Sequence, residues 1–179
     1  MVTVETPYRD FLAFWDRAAD APRDEQRRLW RELYADRHPA LMAHYDELFG
    51  EAASLDDALG RFADVAGEVE QRFAALALEP AARSVAELLD APEAPRAVAM
   101  VGLFTADAWA DDLDGEPTAI FALERLPYAG VVATHELAHL SHRVARDEYW
   151  GNQPGLNLLC ESISTFATLR LHPDLPLER

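Results

Sequence analysis

The chain of 179 residues has no lysine: all 16 of its basic residues are arginine, set against 32 acidic ones for a formal net charge of -16. A surface this acidic repels phosphate backbones, which argues against nucleic acid as a partner. There is one cysteine, Cys160, so an internal disulfide framework is excluded and the redox compartment is left open. No apolar run approaches the ~20 residues that span a bilayer, so no membrane partner is expected. The opening "MVTVETPYRD" lacks a basic stretch followed by an apolar one, and a cytoplasmic protein is the expectation.

What is present suits a folded domain. Half of the residues are hydrophobic, and the length fits one core better than two. The expected organisation is a single domain over 1–179, with a helical part at 1–92 and a second, chemistry-bearing part at 96–172.

The first half reads as helices. In "DFLAFWDRAAD" and "DEQRRLWRELYAD", Phe11, Phe14, Trp15, Leu29, Trp30, Leu33 and Tyr34 recur at spacings of one, three and four, the mark of one buried stripe. "HPALMAHYDELFG" places Pro39 at a helix start and Gly50 at its end. "SLDDALGRFADVAGEVEQRFAALAL" opens on Ser54 as N-cap and reads as one long apolar stripe, and "PAARSVAELLD" as a shorter helix from Pro80.

Beyond "APEAPR" the pattern changes. "AVAMVGLF" (97–104) and "TAIFALE" (118–124) have the length and composition of strands. "TADAWADDLDGEP" between them reads as a loop with a turn at Asp114-Gly115. Its aspartates 107, 111, 112 and 114 lack calcium-loop spacing and read as solvated. Helical character returns in "YAGVVATHELAHLSHRVAR", where Arg143 and Arg146 suit the negative end of a helix, and again in "LNLLCESISTFATLRL" after a Gly/Pro loop at 147–155. The fold class is therefore α+β and mostly helical, with a small sheet placed before two final helices.

His135, Glu136 and His139 spell H-E-x-x-H. On a helix, residues i and i+4 lie about 40° apart, so both imidazoles can reach one ion. Glu136 projects about 100° away from His135, a position for a base acting on water that a bound zinc ion acidifies. A catalytic zinc needs a third protein ligand. His142 lies about 10 Å along the axis from His135 and is too far to share the ion. Asp147 and Glu148 follow the helix too closely to return, and His172 is a further candidate. Glu161 is the strongest choice: it stands 22 residues after His139, on a helix that can fold back, in small apolar surroundings that suit a buried carboxylate with a fixed partner. Cys160 beside it reads as a small buried residue.

"HELAH" followed by "CESIST" resembles the gluzincin metallopeptidases, and most closely the DUF2268 family of predicted zinc-dependent proteases. The likeness covers about residues 97–170, with Ser162 standing where that family commonly has glycine. It implies a zincin-like pair of metal-binding helices holding Zn2+ through His135, His139 and Glu161, with Glu136 as general base and a peptide or protein substrate. It also implies that "TAIFALE" is the edge strand over the cleft, where an extended peptide pairs by strand addition. Tyr149 is the first candidate to stabilise the developing oxyanion, with Tyr128 and His172 as alternatives. The motif fixes a metal and not a substrate, so metal chemistry other than peptide cleavage also fits the sequence. So does a non-catalytic helical binding or regulatory domain in which the histidines are incidental.

Overall fold

The computed structural model describes residues 1–126, 128–146 and 154–175. Strand β1 (Thr3–Glu5) leads into helices α1 (Tyr8–Ala18), α2 (Arg23–Leu33), α3 (Pro39–Phe49), α4 (Leu55–Val65), α5 (Val69–Leu76) and α6 (Leu78–Leu89). Strands β2 (Arg96–Met100), β3 (Ala108–Leu113) and β4 (Glu116–Ala122) follow, and helices α7 (Ala129–Arg146) and α8 (Pro154–Leu171) close the order. The chain is α+β and mostly helical, as its periodicity predicts.

Local signals account for most of the helix ends. Pro39 opens α3 at its first turn, where its missing N–H costs nothing. Ser54 caps α4 by accepting the Asp57 amide at 3.3 Å. The single stripe expected over 54–78 is instead two helices, α4 and α5, separated by a 3₁₀ turn at Ala66–Glu68 around Gly67. Residue α6 begins at is Leu78, two positions ahead of Pro80.

The sheet holds four strands in the order β1-β2-β4-β3, with β1, β2 and β4 parallel and β3 antiparallel to β4. Two expectations fail here. The stretch read as a solvated aspartate loop contains β3, joined to β4 by Asp114 and Gly115, whose φ values of 55° and 79° form the tight hairpin turn for which Asp-Gly is suited. Three of its aspartates are engaged: Asp107 meets Arg125 at 2.7 Å, Asp111 approaches His44 at 3.6 Å, and Asp112 pairs with Arg143, while Asp114 is exposed at the turn. The stretch "TAIFALE" is not an edge, because β4 lies between β2 and β3. The edge beside β4 is β3.

Alternation along the strands divides the core. Val98, Met100, Leu113 and Ile120 face α3, where they meet Leu41 and Tyr45. Ala97, Ala99, Ala119 and Phe121 join the larger cluster on the other face. That cluster is centred on rings from three helices and two turns. Phe62 stacks on Trp30 at 5.5 Å and meets Phe11 edge-on at 4.9 Å, with Phe14, Tyr34 and Phe104 alongside.

The turn after β2 is held by three buried side chains. Tyr34 donates its hydroxyl to the Val101 carbonyl at 2.7 Å and accepts the Val101 amide at 3.0 Å. Tyr45 accepts the Leu103 amide, and Glu124 accepts the amides of Gly102 at 2.9 Å and Phe104 at 3.2 Å. Phe104 takes a positive φ of 63°, a conformation that a bulky residue keeps only when its surroundings over-determine it.

Candidate metal centre

Helix α7 is buried on most of its circumference, as its apolar composition dictates. Ala133, Leu137 and Leu140 enter the main core, and Ala138 meets Val85 of α6 and Ala167 of α8. The two final helices run antiparallel, since Thr134 meets His172 near one end and His142 meets Cys160 near the other. This hairpin returns the chain to the histidines and carries Glu161 to them.

Three donor atoms converge. The Nε2 atoms of His135 and His139 lie 3.0 Å apart, and the Glu161 carboxylate oxygens lie 3.3 Å from the first and 3.4 Å from the second. Ligands about 2.1 Å from a tetrahedral ion stand about 3.4 Å from one another. The donor set and its spacing therefore fit a zinc-sized cation, and His135, His139 and Glu161 form the group suited to hold one among the described residues.

Burial sets the protonation of the group. His139 is 4% exposed, and its pKa falls to about 3 because burial disfavours the imidazolium and the charges of His135 and His142 oppose it further. It stays neutral at physiological pH, the form that ligates a metal. Glu136 behaves in the opposite sense: burial, and then the Glu161 charge, push its carboxyl up to about 7. That value suits a group that takes and returns a proton near neutrality. Glu161 itself is a correction. Its side chain is 60% exposed, so the small apolar neighbours in its sequence do not bury it.

His142 stands apart from the convergent group, with its Nδ1 3.9 Å from the Cys160 sulfur. Cys160 is buried. Tyr149, Asp147 and Glu148 lie outside the described residues. Tyr128 is exposed at the start of α7. His172 is occupied: its Nε2–H donates to the Thr134 hydroxyl at 2.8 Å, while that hydroxyl donates to the Gly130 carbonyl at 3.0 Å.

Sequence reasoning missed two features of the structure. Strand β3 and its Asp112 were hidden by aspartates that disfavour strands. Glu124 carries no motif, and its interest comes entirely from burial. No family model, curated protein or solved structure matches the chain. No helix among the described residues is long and apolar enough to cross a membrane.

Proposed function

We infer that the protein is a zinc-dependent hydrolase, most simply a peptidase of the gluzincin type, acting on a peptide or protein in the cytoplasm. The observation that carries this reading is the convergence of His135, His139 and Glu161 beside a half-buried carboxyl, Glu136, held near neutral pKa. His135, His139 and Glu161 would hold the ion, and zinc bound there supplies Lewis acidity toward a carbonyl oxygen and toward water. Glu136 is the proton carrier: its carboxylate takes a proton from the attacking water and returns it to the leaving nitrogen.

The edge of β3, unpaired among the described residues, supports a peptide as substrate. Register with β4, together with the bond from the Ala122 amide to the Asp107 carbonyl, turns the backbone groups of Trp109, Asp111 and Leu113 inward. Those of Ala108 and Ala110 then point to the open edge, where an extended chain can pair. Strand addition thus belongs to β3 instead of "TAIFALE".

The test has two parts. Purified protein should bind one zinc per chain, and His139→Ala or Glu161→Gln should lower that affinity. Glu136→Gln should keep the zinc while lowering peptide turnover by about 10²–10⁴-fold. Full activity in Glu136→Gln would refute the mechanism, and zinc binding untouched by loss of His139 or Glu161 would refute the site.

A further inference from the structure

We propose that Asp112 and Arg143 are positioning residues that clamp the edge strand β3 to the metal-bearing helix and so fix the wall along which a substrate chain lies. Arg143 follows Glu136 by seven residues, two turns of α7, which places it about 10 Å along the axis and within about 20° of the same flank. The guanidinium Nη2 on that flank pairs with the Asp112 carboxylate, 31 positions away in sequence. The flank that carries Glu136 therefore faces β3, and the ion pair joins the two. It is well placed to hold: the Arg143 side chain is 13% exposed and that of Asp112 is 32% exposed, so water and salt screen it less than a surface pair.

The rest of β3 shows why a clamp matters here. Among the strand's outward-facing residues, Ala108 and Ala110 carry small side chains, which cannot interlock deeply with a helix. At the third, Asp112, the amide is taken by the Asp111 carboxylate at 2.8 Å, which blunts the edge at that end. Backbone pairing is thus confined to Ala108 and Ala110, and their height above Glu136 is set by the Asp112 anchor. The opposite side of β3 is already tied down, with Trp109 against Phe49 and Tyr45 of α3 and Leu113 in the same cluster. Loss of the ion pair would free the α7 side alone.

This inference rests on the peptide reading for its consequence, though not for its geometry. Three chains, Asp112→Asn, Arg143→Gln and the charge swap Asp112→Arg with Arg143→Asp, are compared with the wild type. Amide exchange of Trp109, Asp111 and Leu113, measured against that of Val98 and Ala99, should rise about tenfold in each single variant and return to within about threefold in the swap. Zinc affinity should not change, because no ligand moves. For a peptide substrate, KM should rise about tenfold in the single variants with kcat within twofold, and Arg143→Lys should recover part of the loss.

Exchange at wild-type rates in the single variants would overturn the clamp, and so would a swap that fails to restore it. Raised exchange with unchanged KM would show a purely structural bond and overturn the positioning role. A wild type that binds zinc and cleaves no peptide would sink the proposed function instead, and the exchange measurements would still decide whether the clamp exists.

Discussion

Glu124 offers the sharpest quantitative test of how this core is built. Its carboxyl is 3% exposed, two residues beyond β4, and accepts the amides of Gly102 and Phe104. Two effects oppose each other there. Burial penalises the ionised form, while the two N–H donors favour it; burial prevails and the carboxyl rises from an ordinary 4.5 to about 7. Between those values the unfolded chain has released the proton and the folded chain has kept it. Stability therefore falls as pH rises from about 4.5 to about 7 and levels off above. A shift of that size corresponds to about 3 kcal/mol, a large share of the 5–15 kcal/mol typical of a domain.

Glu124→Gln removes the titration while retaining one acceptor, and its extra N–H leaves one amide of the turn poorly paired at a cost of about 1–3 kcal/mol. Denaturant unfolding of both proteins from pH 4.5 to 8.5 isolates the effect, because every other titrating group is common to the two. The stability of the wild type minus that of the variant should fall by about 3 kcal/mol over this range. A difference independent of pH would refute the reasoning. A difference that grows with pH would show that the two amides outweigh burial.

Gly102→Ala should destabilise by about 1–3 kcal/mol in the same unfolding assay, because a Cβ there would lie 2.8 Å from the Tyr45 ring and 2.9 Å from Glu124 Oε1. Neither neighbour can retreat cheaply, since both are bonded to the turn that Gly102 belongs to; an Ala variant as stable as the wild type would show that the turn yields. Phe62→Ala should cost about 3–5 kcal/mol, visible as a large drop in thermal midpoint, because it empties the centre of the aromatic cluster.

The parts of the fold that were legible in the sequence are those decided locally. Ser54 and Pro39 act on their own helix turn, and Asp114-Gly115 acts on its own hairpin. Strand β1 was not legible, because Thr3–Glu5 is three residues long and exists through pairing with β2, more than 90 positions away. Strand β3 was hidden for a different reason. "AWADDL" combines two alanines with two aspartates, none of them strand formers, and it is held by its ladder to β4 and by partners on α3 and α7. Strand order, too, is a long-range property, so which of "TAIFALE" and "AWADDL" forms the edge is decided only when the sheet assembles.

The site divides along the same line. The i, i+4 relation of His135 and His139 is a property of one helix, and the return of Glu161 needs only that two consecutive helices pair antiparallel. What their spacing could not show is how unequal the three donors are. His139 is buried and held neutral, whereas the Glu161 side chain stands mostly in water. Glu136, between these environments, is raised to about 7. Two imidazoles and a carboxylate, 3.0 to 3.4 Å apart, direct both nitrogen and oxygen lone pairs at one point. A divalent cation answers both at once, and its charge would in turn favour the ionised form of Glu136, the form a base requires.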